Sequence, residues 1–302
     1  MKTAFGSMGV LALGLAFVAA AGGCEARDCP DNNAGADGGT QSSNEGSCVQ
    51  LVSLKKWTGT ADSRDVAYVA GGDVTIDGRN GDIDVQQGSA GTVTAVFKPF
   101  VMRAADTPDS EIQANLAQLN IEAGGDASLI TLKTTRASGA PNTLGADIVV
   151  TLPPEFNGAL RIIQDNGRVN VGFAGVATHV GINSNNGQCD FNAGTAARTV
   201  DITCDNGDIT GAIPVPADAA NSTVTSGNGS IDLTFGTGAT PFNVSAQAMD
   251  GGTVTTTLGS SCTENAASES AKTVSCNGAT TANPTYTVTA AGTSLADVNL
   301  QF

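Results

Sequence analysis

Four aspartates crowd one short stretch of this sequence: Asp73, Asp77, Asp82 and Asp84. Calcium takes several carboxylate and carbonyl oxygens, so such a cluster is a weak candidate cation site. The spacing is not that of an EF-hand loop, and the glycine-rich calcium nonapeptide is absent. Solvated carboxylates at turns and on strand faces account for the same residues. No resident metal and no cofactor is expected. The one histidine, His179, sits between apolar positions of an alternating run and is expected to face solvent. A general base would need a nucleophile within hydrogen-bond reach. Gly-x-Ser-x-Gly, His-Glu-x-x-His and phosphate-loop patterns do not occur, so no catalytic residue is assigned.

The cysteines offer a different chemistry. Cys24 directly follows the small residues Ala21-Gly22-Gly23, as in a lipidation signal, although Ala21 stands where such signals usually carry Leu. Six more remain, and sequence neighbours suggest the pairs Cys29–Cys48, Cys189–Cys204 and Cys262–Cys276 out of many possible connectivities. Buried free thiols are the alternative for Cys189 and Cys204. No Cys-x-x-Cys occurs, which disfavours zinc and thioredoxin-like chemistry.

What must position these residues is a repeat. The blocks Asp165-Asn166-Gly167, Asn185-Asn186-Gly187, Asp205-Asn206-Gly207 and Gly227-Asn228-Gly229 each open an alternating apolar–polar run, and Asp250-Gly251-Gly252 is a worn fifth copy. Counting from Asn166 to Asn186, Asn206, Asn228 and Gly251 gives steps of 20, 20, 22 and 23 residues. Asn80-Gly81, between Ile76 and Ile83, reads as an earlier copy. An Asn-Gly pair takes positive φ readily and turns the chain sharply. Alternation after the turn marks a strand with one buried face. Val169 and Val171, Cys189 and Phe191, and Ile231 and Leu233 take the inward slots, with Asn170, Asp190 and Asp232 outward. A second run, such as Val180-Gly181-Ile182 or Val200-Asp201-Ile202, completes each unit. A hairpin meander would repeat its turn signal about every 8–12 residues. One signal per two strands predicts a parallel β-solenoid (β-helix) of two-strand coils, with Asn166, Asn186, Asn206 and Asn228 stacked in a side-chain ladder.

Taken in order, residues 1–23 read as a secretory signal, since Lys2 precedes the apolar run Val10 to Ala21, which is too short to span a bilayer. Residues 24–52 read as a polar tether without apolar periodicity. Residues 53–302 are the expected folded domain, with regular coils over 160–258 and a cap over 259–302. Pro108 to Leu119 is the one helix candidate, with Ile112, Leu116 and Leu119 on one face and Asp109 or Ser110 as cap. Trp57, the single tryptophan, is expected to cover one end of the core. Thr285-Tyr286-Thr287-Val288-Thr289 and Val298-Asn299-Leu300 are expected as final capping strands.

The chain carries a net charge of −15, and its 14 basic residues are scattered. That balance opposes binding to a phosphate backbone, so nucleic acid is excluded as a partner, and it opposes simple attraction to anionic lipid heads. The repeated Asn-Gly-x-apolar-x-apolar blocks resemble the bacterial "putative adhesin" domains of the head, or GIN-like, type. The matching stretches are Gly72 to Val85, Asn166 to Val171, Asn186 to Phe191, Asn206 to Ile209, Asn228 to Leu233 and Gly251 to Thr256. The resemblance implies a β-helical fold and supplies no catalytic residues. Together with the lipidation signal at Cys24, and Glu25 after it in place of the Asp of an inner-membrane pattern, it frames an expectation of a non-enzymatic, lipid-anchored envelope protein of the outer membrane with a protein or glycan ligand. A carbohydrate-active β-helix enzyme and a self-assembling structural protein are the alternatives.

Overall fold

The computed structural model describes residues 53–302, apart from residues 174, 176, 193–196, 237, 267 and 293–295. The segments read as signal and tether, with Cys24, Cys29 and Cys48, lie outside the described residues.

Alternation produces strands throughout: β1 (Leu54–Thr58), β2 (Asp62–Ala67), β3 (Asp73–Asn80), β4 (Ile83–Gln87), β5 (Thr92–Ala104), β6 (Leu119–Asp126), β7 (Leu129–Arg136), β8 (Leu144–Leu152), β9 (Ala159–Asn166), β10 (Val169–Gly172) and β11 (His179–Asn186). They continue as β12 (Cys189–Asn192), β13 (Thr199–Asn206), β14 (Ile209–Pro214), β15 (Ser222–Ser226), β16 (Ile231–Gly236), β17 (Phe242–Ala248), β18 (Val254–Thr257), β19 (Cys262–Ala266), β20 (Ala271–Cys276), β21 (Thr285–Ala290) and β22 (Val298–Gln301). The one helix among the described residues, α1 (Asp109–Leu116), lies between β5 and β6.

The all-β expectation holds, but the parallel β-solenoid does not. The strands form two mixed sheets of 11 strands each. Sheet 1 runs β1-β5-β8-β4-β10-β12-β14-β16-β22-β18, with β2 also on β5; sheet 2 runs β19-β20-β17-β21-β15-β13-β11-β9-β3-β7-β6. Antiparallel pairs occupy three ends: β1, β2 and β8 on β5, β6 on β7, and β20 between β17 and β19. Nor does each unit follow its predecessor in space. Strands β21 and β22, expected as terminal caps, insert between β15 and β17 and between β16 and β18. The repeat signal governs the middle: the antiparallel segments at the ends lack it, and its worn copy at Asp250-Gly251-Gly252 leads into β18 at the edge of sheet 1.

In that middle the register is strict. Val169, Cys189, Ile209 and Ile231 are successive parallel partners, flanked by Ile83 on one side and Val298 and Val254 on the other. Sheet 2 matches this with Val74, Leu160, Val180 and Val200. All are buried in one core between the sheets, each fully buried Val or Ile side chain contributing about 1.5–3 kcal/mol. In-register pairing keeps every apolar residue on the core face, since a one-residue slip would turn them all outward.

A second, smaller cluster forms where α1 packs against β5: Val101, Ile112, Leu116 and Leu144, with Trp57 half-buried beside them. The expected cap at Asp109 or Ser110 is corrected. Pro108 occupies the N-cap without a side-chain bond, and its carbonyl accepts the Glu111 and Ile112 amides at 3.0 and 3.1 Å. Its ring fixes φ there, and Asp109 and Glu111 in the first turn suit the helix dipole.

Near the other end, Phe235, Phe242, Tyr286 and Phe302 pack with ring centroids 5.3–6.4 Å apart. Among the described residues the buried Tyr286 hydroxyl has no partner, and burial pushes its pKa up to about 12. Glu264 accepts from the Thr256 hydroxyl and from Lys272 at 3.3 Å, which together hold its carboxyl below its usual range.

Candidate functional site

Each corner of the middle region is built from the same three positions: an asparagine that ends a sheet 2 strand (Asn80, Asn166, Asn186, Asn206) or, at Asn228, lies two residues past the end of β15, then a glycine, then the residue before the next sheet 1 strand. The first position carries a ladder. Asn166 Nδ2 donates to Asn80 Oδ1 at 2.7 Å, Asn186 to Asn166 at 3.1 Å, Asn206 to Asn186 at 3.1 Å and Asn228 to Asn206 at 2.8 Å. Asn80 anchors the start, donating to the Asn142 and Leu144 carbonyls. The backbone bonds run the opposite way. Gly81, Gly167 and Gly187 donate to the carbonyls of Asn166, Asn186 and Asn206 at 2.8, 2.9 and 3.0 Å. Opposed donor directions let side-chain and backbone dipoles cancel along the stack.

Sequence assigns the glycines to positive φ, and Gly81, Gly167 and Gly187 have it, at 113°, 129° and 138°. Gly207 and Gly229 do not. What all five positions share is close approach: a Cβ on Gly167, Gly187, Gly207 or Gly229 would collide with the carbonyl oxygen of the preceding corner glycine, and one on Gly81 with that of Ala146. The glycines are therefore fixed by backbone stacking first and by torsion second.

The third position pins neighbouring strands. Asp82 Oδ1 accepts the Arg168 amide at 2.9 Å, Asp208 Oδ1 the Ser230 amide at 2.8 Å, and Asp297 Oδ1 the Thr253 amide at 2.8 Å. Bonds from Thr253 hold the Asp297 carboxyl below its usual range. Behind the corner, two residues before each Asn, Gln164 donates to the Gly81 carbonyl and the Ser226 hydroxyl to the Gly207 carbonyl. Cys204 holds the equivalent position and is joined instead to Cys189, with Cα atoms 6.6 Å apart. The second disulfide, Cys262–Cys276, links facing residues of β19 and β20. Both bridges match the pairing suggested by sequence proximity.

On the outer face of sheet 1, the residues one place after the inward column form a polar row: Asp84, Asn170, Asp190, Thr210, Asp232, Asn299 and Thr255. Its first half is self-satisfied. Asn170 donates to Asp84 at 2.7 Å, and Asp190 receives Thr210, Arg168 and Gln188. Asp190, expected outward, is consequently buried beneath those side chains. The second half is open. Asp232, Thr234, Thr255, Thr257, Asn299 and Gln301 line a shallow groove of about 340 Å³ across β16, β22 and β18. All six are exposed, and among the described residues none has a side-chain hydrogen-bond partner.

The four clustered aspartates are not brought together. Asp73 accepts the Ala159 amide at 2.8 Å, and Asp77 pairs with Arg79 at 2.8 Å and Lys133 at 3.7 Å on sheet 2. Asp82 serves a corner and Asp84 the sheet 1 row. Among the described residues no group of three or more metal-ligating side chains assembles. His179 is only partly exposed. Its Nδ1 lies 2.9 Å from Thr199 Oγ1 and 3.7 Å from Asp201, and burial pushes its pKa below 6.5. Sequence reasoning missed the groove, because β22 reaches β16 only by inserting out of order. It also missed the aspartate pins, although Asp after Asn-Gly recurs at Asp82 and Asp208.

No family model matches this chain, and no curated protein matches it. Among solved structures it is similar to a "putative cell adhesion protein" from Clostridium sporogenes ATCC 15579, with 10% identity over 80% of this chain and 99% of that one and a TM-score of 0.43. A "putative adhesin" from Bacteroides fragilis NCTC 9343 aligns at 11% identity over 80% and 97%, with a TM-score of 0.32. Another from Parabacteroides distasonis ATCC 8503 aligns at 12% over 80% and 97%, with a TM-score of 0.28. These likenesses name adhesins, do not reach the head or GIN-like type, and at these scores assign no function.

Proposed function

We propose that this chain is a non-enzymatic, lipid-anchored protein of the bacterial cell envelope that binds a neutral polar partner, a glycan in the first instance, through the sheet 1 groove. The observation carrying this reading is the change along one polar row. Where Asn170 bonds to Asp84 and Thr210 to Asp190, the side chains of Asp232, Asn299 and Thr255 have no hydrogen-bond partner among the described residues. Carboxylate, amide and hydroxyl groups free to donate and accept suit sugar hydroxyls, and a rigid sheet holds them in place. Two disulfides support export into an oxidising compartment. Glycoside cleavage needs a pair of carboxyl groups, whereas the groove lining holds Asp232 alone.

Residues 53–302 on an array of neutral glycans should bind a defined subset, and the Asp232→Ala/Asn299→Ala variant should lose that binding. Unchanged binding by the folded double variant, or none by the wild type, would overturn the groove assignment. Anchoring is tested separately: a palmitate analogue should label the full chain but not Cys24→Ala, and equal labelling of both would contradict it.

A further inference from the structure

The ladder is made of Asn-Gly pairs, and Asn-Gly is the sequence most prone to spontaneous deamidation. The glycine nitrogen attacks the asparagine Cγ and loses its proton, and the side-chain nitrogen leaves as ammonia, forming a succinimide. Water then opens the ring to aspartate or isoaspartate. The reaction needs a free glycine N–H and a side chain able to turn toward it. In this chain those conditions change along the ladder. Gly81, Gly167 and Gly187 each have their N–H committed to the next asparagine carbonyl. Among the described residues, Gly207 and Gly229 have no such partner.

The side chains are graded in the same direction. Asn186 and Asn206 each donate twice, to the preceding Asn Oδ1 and to the Asp165 or Asn185 carbonyl, and each accepts from the next rung. Asn228 is the last rung. It donates once, to Asn206, and its Oδ1 accepts nothing among the described residues. It is also exposed.

We infer that Asn228 is a self-modification site, that deamidation enters the ladder there, and that it then advances to Asn206. Loss of the Asn228 amide removes the donor that Asn206 Oδ1 accepts. Asn206 cannot compensate by flipping, since its own Nδ2 is held by Asn186 and Asn185. The product is a carboxylate at the corner leading into β16, near Asp205 and Asp208. Each conversion is irreversible under physiological conditions, so the corner records the age of the molecule.

The test is timed incubation of the folded full chain at mildly alkaline pH, with peptide mass mapping and enzymatic isoaspartate detection. Each site's rate is normalised to that of the same peptide in the denatured chain. Each hydrogen bond that must break first slows reaction roughly tenfold, so Asn228 should react at least tenfold faster than Asn166 or Asn186. Asn228→Asp, which mimics the product without altering Gly229, should speed deamidation at Asn206. Equal normalised rates along the ladder, earlier reaction at Asn166 or Asn186, or an unchanged Asn206 rate in Asn228→Asp would each overturn the inference.

Discussion

The middle of the molecule and its helix-bearing end solve one problem by different means. Both must turn the chain between two sheets while keeping backbone groups bonded. In the middle, one corner design recurs: Asn bonds Asn and glycine stacks on glycine from rung to rung, and at Asp82 and Asp208 an aspartate meets the next amide. At the end, every junction is individual: Asn80 caps onto Asn142 and Leu144, Lys56 pairs with Asp147 at 2.8 Å, and α1 closes a small separate cluster. Repetition makes the middle cooperative, because a fault in one corner disturbs both adjoining corners. The end is tolerant, because its contacts are not shared.

The largest expected difference is at glycine. Gly187→Ala adds a Cβ against the Gly167 carbonyl at φ 138° and should destabilise by about 3 kcal/mol or more. Gly139→Ala, at φ 82° with nothing within 4 Å of the new atom, should cost only about 1–2 kcal/mol. Urea titration of both variants checks this, and equal losses would erase the distinction between stacking and torsion.

Next come the disulfides, which close loops of similar length, with sequence separations of 15 and 14. Cys189→Ala/Cys204→Ala should lower global stability by about 3 kcal/mol. Cys262→Ala/Cys276→Ala should chiefly loosen the β19–β20 hairpin, visible as faster local proteolysis with a smaller shift in Tm. Global losses of the same size from both would show the hairpin to be as integral as the middle.

Asparagine gives a smaller contrast. Asn186→Ala breaks rungs on both sides and should cost about 1–2 kcal/mol. Asn115→Ala removes a buried amide nitrogen that has no partner among the described residues and should be close to neutral. Denaturant midpoints compare the two directly.

The smallest effect is on pH. His179 has a folded pKa below 6.5 because it is partly buried. Below 6.5 the unfolded chain takes up a proton that the folded one resists, so this stabilisation is present above 6.5 and is lost as pH falls toward the folded pKa. His179→Gln should flatten thermal stability across that window. An unaltered pH profile would place the histidine in water, as its sequence position suggested.

How much of this was legible in the sequence follows from the same contrast. The period, the inward columns from Val169 to Ile231 and the Asn ladder could be read because they are local and repeated. The mixed sheets could not. Nothing in Thr285–Ala290 or Val298–Gln301 distinguishes a strand that inserts between two earlier ones from a strand that caps an edge, since both show the same alternation. The glycine column was read for its torsion, when stacking is what all its members share. The groove was invisible because Asp232 and Asn299 are distant in sequence and meet only through that insertion.

The central claim, that the Asn-Gly corner holds adjacent strands in register through opposed side-chain and backbone bonds, is tested most directly by residue-resolved amide hydrogen exchange. The amides of Gly81, Gly167 and Gly187 should exchange slowly, near the global unfolding limit, while those of Gly207 and Gly229 exchange orders of magnitude faster. Uniform exchange across all five glycines would contradict the account.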